Sequence, residues 1–493
     1  MSDDGITSGS PPVGMMSADV HHRVALREYR QKSHGQLAAS RNKNRYFHNY
    51  INNLLARYVP PEAMVLDIGC GCGDLLSALA PRVGVGIDID SVVVEEARQR
   101  HRGLTFHEAA VEDIATLNLP QFDYVICSGT LQELYDVHAA LAAIRSVCHA
   151  RTRIIFCTYS RLWSPLLRLA ELVGRKFRTP DESWLPRDEL ANLLAHSGME
   201  VVRQSPAVIA PLGIPVLSNF LNRWIAPLPG IRQLGLCLLT VARLSDVAGA
   251  GSRPASVSVV APVRNESGNI DALIRRLPMM ADMQELIFVE GHSTDDTWAT
   301  VRRAVAQYSG PMKLSALQQS GRGKGDAVRA GFAAATGDIL LILDGDLSVP
   351  PEELPRFVEA IHCNRCEFAN GSRLIYPMED QAMQFLNMLA NKCFGMIFTF
   401  LLGQRLRDTL CGTKVLRRSD YARIAANRAY FGDFDPFGDF DLLFGAARLN
   451  LKIMDVPVHY KQRTYGQTNI SRFRHGIMLL RMCLVAARKI TFI

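Results

Sequence analysis

The sequence predicts two α/β domains, each built on a parallel sheet with helices on both faces, and three observations point there. The chain has 493 residues, too many for one ordinary core at roughly 150 residues per domain. Short apolar runs alternate with stretches of helical periodicity, the pattern of strands and crossover helices. The alternation breaks once, near Ser245 to Ala255, where Gly, Ala, Ser and Pro interrupt it, and then restarts with different motifs.

The elements follow in order. Residues 1–20 are rich in Gly, Ser, Pro and Asp and read as a disordered tail. From there to Tyr58, basic and aromatic residues recur at helical spacing. Met64 to Ile68, Val83 to Ile87, Tyr124 to Cys127 and Ile154 to Cys157 read as buried strands, with helices from Val92 to His101 and Val137 to Val147 between them. This first domain spans 21–243 and the linker 244–255. The second series opens with strands from Val257 to Ala261, Leu286 to Val289 and Ile339 to Leu343, and extends to about residue 470. Phe394 to Gly403 reads as a short buried helix. Residues 471–493 form a basic amphipathic C-terminal helix, which either lies on a membrane surface or packs on its own domain.

Composition narrows the class. Hydrophobic residues make up 48% and charged residues 21%, values of a folded globular protein. A net charge of +7 permits attraction to anionic membranes or phosphates. No basic aromatic stripe or reader motif accompanies it, so a nucleic-acid partner is not expected. Eleven cysteines lack repeated spacing, no secretory signal opens the chain, and no apolar run is long enough for a spanning helix. The expected setting is the cytoplasm, with peripheral contact at the inner face of the membrane.

Asp67-Ile-Gly69-Cys-Gly71-Cys-Gly73 follows a strand and precedes a helix starting near Asp74. Its glycines allow a tight turn and close approach of a ligand. Asp88 ends the next strand, where a carboxylate can take two ribose hydroxyls, and Glu112-Asp113 follows the third strand. Together these residues resemble the class I S-adenosylmethionine-dependent methyltransferases, with a Rossmann-like fold. The resemblance implies that Asp67, Gly69, Gly71 and Gly73 form the first cofactor motif, that Asp88 holds the ribose, and that Asp113 meets the adenine. Cys70 and Cys72 carry no metal role, because no partner pair exists. Glu133 and His138 are candidate acceptor-side bases, and the methyl acceptor is not legible.

Leu341-Ile-Leu-Asp344-Gly-Asp346 places two carboxylates at the end of an apolar strand, where they can hold a divalent cation against a diphosphate. Three further motifs keep it company: Pro262-Val-Arg-Asn-Glu266, Glu290-Gly-His-Ser-Thr-Asp-Asp296, and Gly321-Arg-Gly-Lys324-Gly-Asp326. The last is not a P-loop, since Gly325 stands where Ser or Thr would follow the lysine. In this order they resemble the family 2 glycosyltransferases of GT-A fold. The resemblance implies that Pro262, Glu266, Glu290, Lys324 and Asp326 line a UDP- or GDP-sugar pocket. Asp344 and Asp346 then bracket Mg²⁺ or Mn²⁺. Glu290-Gly291 departs from the two aspartates common in the family. Asp408-Thr-Leu-Cys-Gly-Thr-Lys414, Asp439-Phe-Asp441 and Arg463-Thr-Tyr-Gly-Gln-Thr-Asn469 resemble the polyprenyl-phosphate sugar transferases. They imply catalytic, acceptor-side roles for Asp439 and Asp441 and a donor-diphosphate role for Arg463. The acceptor class so implied is a lipid phosphate or a glycan. The chain is thus expected to be a bifunctional transferase of cell-surface glycan or glycolipid synthesis. The alternative is a single-activity enzyme whose other domain senses ligand or acts as a scaffold.

Overall fold

The computed structural model describes residues 18–178, 183–245, 252–376, 385–428, 438–461, 465 and 472–491. Most of the predicted tail and half of the predicted linker therefore lie outside the described residues, as does Arg463. The chain divides into two compact units, Met1–Leu193 and Leu194–Ile493.

The first unit opens with three helices, α1 (Ala18–Lys32), α2 (His34–Lys43) and α3 (Arg45–Leu55). On α3, Phe47, Ile51 and Leu55 recur every four residues and form one buried stripe. Strands β1 (Met64–Ile68), β2 (Val83–Asp88), β3 (Thr105–Glu108), β4 (Phe122–Ser128) and β5 (Cys148–Tyr159) then pair in parallel. The sheet runs β3-β2-β1-β4-β5 and is completed by β7 (Cys237–Leu244) and β6 (Met199–Ala207). The strand order reverses at β1, so the crevice beyond the carboxyl ends of β1 and β4 is where such a sheet binds ligands. β6 pairs antiparallel with β7, which makes the sheet mixed and not purely parallel.

The second unit carries β8 (Ser256–Val263), β9 (Met283–Glu290), β10 (Lys313–Gln318), β11 (Ile339–Ile342), β12 (Phe368–Ser372), β13 (Lys414–Arg417) and β14 (Ile453–Pro457), in the order β10-β9-β8-β11-β13-β12-β14. Only β13 runs against its neighbours. Val415 faces Leu341, and the opposed direction carries the start of β13, with Lys414, to the end where β11 gives way to Asp344. One topological reversal thus delivers a lysine to the acidic pair.

The predicted apolar helix is longer than expected, Phe385–Leu402, and buries Phe394, Phe398, Leu401 and Leu402 in the core. The C-terminal helix, Arg472–Ala486, packs on the same core through Leu479, Met482, Cys483 and Ala486, while Leu480 and Leu484 face outward. Among the described residues no helix is long and apolar enough to cross a membrane.

β6 and β7 belong to the second unit and are held within it by charge. Arg243 has no exposed side-chain surface. Its guanidinium donates to Glu200 Oε1 (2.7 Å), Asn364 O (2.7 Å) and Asn364 Oδ1 (3.1 Å), and lies 3.6 Å from Glu367. Lys452 adds a bond to the Val201 carbonyl at 3.0 Å and an ion pair with Glu200 at 3.3 Å.

Candidate functional site

The glycine loop after β1 is shaped by its backbone. Gly69, Gly71 and Gly73 all take positive φ, 74°, 50° and 79°. At Gly69 a Cβ would overlap the Thr130 hydroxyl, which itself donates to Ile68 O at 3.1 Å, so no other residue fits there. Asp88 fastens the loop: its Oδ2 accepts the Gly71 N–H and its Oδ1 the Asp90 N–H, both at 3.0 Å. Asp67 is buried, and its Oδ2 has no hydrogen-bond partner. Burial, reinforced by the Asp88 charge, pushes its carboxyl up to about 7. A buried acid with an open oxygen beside a glycine cradle fits a cationic, nucleoside-bearing cofactor.

Four arginines of the N-terminal helices complete this site, and sequence reasoning missed them. Arg23 meets both oxygens of Asp113 at 3.2 Å, Arg27 pairs with Glu108, and Arg30 pairs with Glu133. Burial alone would lower the Arg30 guanidinium, but the Glu133 and Asp88 carboxylates outweigh it and raise it. Arg41, on α2, rests its guanidinium over Gly71 and donates to Cys72 Sγ at 3.5 Å. A single basic face of α1 therefore pairs with Asp113, Glu108 and Glu133, and its Arg30 also feels the Asp88 charge. Glu133 is one of the two candidate bases, and its pairing with Arg30 makes it part of that cover. Burial and the Arg41 charge lower His48 to about 4, so it is neutral at pH 7.

In the second unit the four motifs converge at the carboxyl ends of β8, β9 and β11. Lys324 Nζ lies 2.5 Å from Asp344 Oδ1. Burial would lower this lysine, yet Asp344, Asp439 and Asp346 hold it well above its ordinary value. Asp344 is correspondingly depressed: burial pushes it up, and Lys324, Lys414 and Arg373 more than reverse that. Asp346 accepts the Ser348 N–H at 3.0 Å. Gly345, between the two acids, is so close that a Cβ would lie 3.1 Å from the Pro262 carbonyl and 3.7 Å from Glu266 Cγ. Asp326 accepts the Gly321 N–H at 2.8 Å and shapes the turn that presents Lys324. Glu290 is buried, and both oxygens are engaged, one by the Ser293 N–H and one by Gln318 Nε2 at 2.9 Å. Burial pushes Glu290 up, but these donors prevail and hold it below the usual carboxylate range.

Lys414 is fully buried, donates to Cys411 O and lies 3.7 Å from Asp439 Oδ1. The two acids expected to act together part company. Asp439 joins the lysines, and its buried Oδ1 has no hydrogen-bond partner, whereas Asp441 is held by Arg428 Nε at 2.7 Å. Residues two apart on a helix point to different faces, so the separation is geometric. Asp408 organises the loop before β13. Arg373 grips it through Nε (2.7 Å) and Nη2 (2.9 Å), Asn391 donates at 2.7 Å, and the N–H groups of Leu410 and Cys411 add two more bonds. Burial would raise Asp408, but Arg373 brings it down to about 2. Among the described residues no three metal-ligating side chains cluster. Two protein carboxylates suit a cation whose remaining ligands come from a substrate diphosphate.

Gly412 presses on the acidic cluster itself. A Cβ there would overlap both Asp344 Oδ2 and Lys324 Nζ. Gly412→Ala is expected to force that ion pair apart and lower sugar transfer about a hundredfold, the scale of an ångström's misplacement. Steady-state transfer assays check this, and unchanged turnover would remove the cluster from the active centre.

Comparison with known proteins fits this geometry. The Glycosyl transferase family 2 model matches residues 258–424 and a Methyltransferase domain model matches residues 61–192. A dolichol-phosphate mannosyltransferase of Pyrococcus furiosus is 30% identical over 220 residues, covering 43% of this chain and 59% of that protein. An undecaprenyl-phosphate 4-deoxy-4-formamido-L-arabinose transferase of Edwardsiella ictaluri is 38% identical over 229 residues, covering 45% and 64%. The chain thus spans about three fifths of the length of the curated relatives it matches. Among solved structures, a SAM-dependent methyltransferase of Thermotoga maritima matches at 18% identity and a TM-score of 0.34, over 45% of this chain and 99% of that one. The chain therefore carries, in this order, a methyltransferase domain and a family 2 glycosyltransferase domain.

Proposed function

We propose that the chain is a bifunctional transferase: its first domain transfers methyl groups from S-adenosylmethionine, and its second transfers a sugar with inversion. The sugar comes from a UDP- or GDP-sugar and goes to a lipid phosphate or glycan acceptor. The observation that carries the second activity is the alternation of Asp344, Lys324, Lys414 and Asp439, the first two half-buried and the last two buried. Two relatives, a dolichol-phosphate mannosyltransferase and an undecaprenyl-phosphate 4-deoxy-4-formamido-L-arabinose transferase, support the acceptor class.

Pro262, Glu266, Glu290, Lys324 and Asp326 would line the donor pocket, with Arg463 beside the diphosphate. Asp344 and Asp346 would hold Mg²⁺ or Mn²⁺, which supplies charge neutralisation to the leaving diphosphate. Lys324 stands against Asp344 as a built-in cation, and the same ammonium can follow the charge that develops on the diphosphate. Asp439 lies 3.7 Å from Lys414 and helps to hold Lys324 charged. A phosphate acceptor is already ionised at neutral pH, so no general base is needed, and Asp439 serves as an orienting group. The outward Leu480 and Leu484 of the C-terminal helix, with Arg481 exposed between them, support peripheral membrane contact at the cytoplasmic face.

In the first domain Asp67, the glycine loop, Asp88 and Asp113 would hold S-adenosylmethionine, which supplies an electrophilic methyl group. Asp67 gives this reading a pH signature. Its folded value lies above the ordinary one of 3.8. Its contribution to folding is therefore present below about pH 4 and lost as pH rises through about 7. Binding of a cationic ligand has the opposite sign, because it needs the ionised form. Affinity is expected to rise about tenfold between pH 6 and pH 8 and to flatten in Asp67→Asn, as read by calorimetric titration. A pH-independent wild type would refute the assignment.

A second reading, one active domain with the other sensing or scaffolding, is favoured by one observation: both oxygens of Glu290 are engaged within the protein. A thermal-shift screen decides between the two, using S-adenosylmethionine and a panel of UDP- and GDP-sugars with Mg²⁺ or Mn²⁺. Stabilisation by one member of each class, followed by turnover, supports two activities. A shift with S-adenosylmethionine alone supports the second reading.

A further inference from the structure

The connection between β6 and β7, residues 208–236, is folded inside out. Its helical stretch over 217–225, with the Ala226 that caps it, turns Ser218, Asn222 and Ala226 inward at four-residue spacing, all buried. These inward side chains build the fold of the segment. Asn222 Oδ1 accepts the N–H groups of Ile209 and Ala210, both at 2.9 Å, and its Nδ2 donates to Ala210 O at 2.7 Å. Ser218 accepts the Ile214 N–H at 3.1 Å and donates to Leu212 O. The outward side carries the large apolar residues instead. Leu212, Ile214, Val216, Leu217, Phe220, Trp224 and Leu234 are all exposed, Val216 to 82%. Val216 also takes φ 62°, a costly conformation for a β-branched residue, and it is held there with its side chain projecting. A segment that hides its polar groups and displays its apolar ones is complementary to an apolar surrounding, not to water.

Charge names that surrounding. The 208–236 stretch contains no Asp or Glu, and its two charged residues are Arg223 and Arg232. Arg223 lies 5.5 Å over the Trp224 ring, an arginine–tryptophan pair of the kind that favours a membrane–water boundary. Arg232 lies 5.3 Å over Phe400 and so fastens the segment to helix Phe385–Leu402 of the same unit. We infer that residues 208–236 form an interfacial anchor that inserts Leu212, Ile214, Val216, Leu217, Phe220 and Trp224 into an anionic lipid surface, with Arg223 against the headgroups. This anchor is separate from the C-terminal helix, and it lies in the chain of the methyltransferase sheet. It stands independently of either proposed activity, since binding alone tests it.

The experiment uses the full chain and vesicles of phosphatidylcholine, alone or mixed with phosphatidylglycerol. Co-sedimentation is expected with the mixed vesicles, together with quenching of Trp224 by brominated acyl chains. The triple variant Leu217→Glu, Phe220→Glu, Trp224→Glu changes only exposed positions, and its circular dichroism and thermal midpoint serve as the fold control. Its vesicle affinity is expected to fall more than tenfold, and that of Arg223→Glu about fivefold or more, one charge near an anionic surface being worth about that factor. Wild-type affinity in a folded triple variant would overturn the proposal. So would a wild-type dimer that ignores vesicles and becomes monomeric in the triple variant, which would assign the face to a second copy of the chain.

Discussion

Asp344→Asn is expected to lower sugar transfer by about three orders of magnitude, while binding of S-adenosylmethionine stays unchanged. The asparagine is nearly isosteric, so the loop after β11 keeps its path. What disappears is the one carboxylate that both faces the Lys324 ammonium at 2.5 Å and is kept ionised by three cations. A neutral amide oxygen holds a divalent cation far more weakly than a carboxylate, and it leaves the half-buried Lys324 to share Asp439 and Asp346. Loss of the proposed cation together with disorder of the charged cluster would account for about 4 kcal/mol of barrier, at 1.4 kcal/mol per tenfold. Transfer of labelled sugar from the nucleotide donor measures it, and a loss of less than tenfold would contradict the proposed role. Asp441→Asn is the matched control. Its carboxylate is held by Arg428 on the other side of the helix, so the loss there should stay below about tenfold.

What the sequence discloses about these sites follows the range of the interaction. The Asp67–Gly73 loop is legible because turn, glycine and acid all lie within one local stretch, and local backbone geometry leaves a local signature. The strand ends at Asp88, Glu290 and Asp344 are legible for the same reason, each closing an apolar run. Arg23, Arg27 and Arg30 carry no such mark. Three or four residues apart on a helix, they read as a solvated basic face, and only folding brings them to Asp113, Glu108 and Glu133. Lys414 stands within a motif that the sequence displays, yet its importance depends on the antiparallel β13, which a reading of parallel alternation does not anticipate. Arg373 follows β12 with nothing local to distinguish it, and its partner Asp408 is 35 residues away. Long-range charge pairing is therefore the information that spacing alone withholds.

That lesson applies most strongly at Arg243, which ends an apolar strand and would read as an ordinary strand terminus. Arg243→Ala is expected to destabilise the protein by about 3–5 kcal/mol, the cost of breaking a buried ion pair from one side. The guanidinium is fully enclosed and makes bonds to Glu200 and to Asn364 at 2.7 Å. Its removal takes away the guanidinium that faces Glu367, a carboxylate 5% exposed that also accepts the Lys452 N–H at 2.9 Å. Glu200 is 29% exposed and keeps Lys452 at 3.3 Å, which places its share of the loss at the lower end. Scanning calorimetry should show the midpoint falling by roughly 2–4 °C for each kcal/mol, the scaling for units of this size. Arg243→Met with Glu367→Gln separates charge from volume. If the uncompensated carboxylate is the cause, the double variant recovers most of the loss that Arg243→Met shows alone. If the two losses simply add, the guanidinium acts through packing and its bonds to Asn364, and the electrostatic account fails.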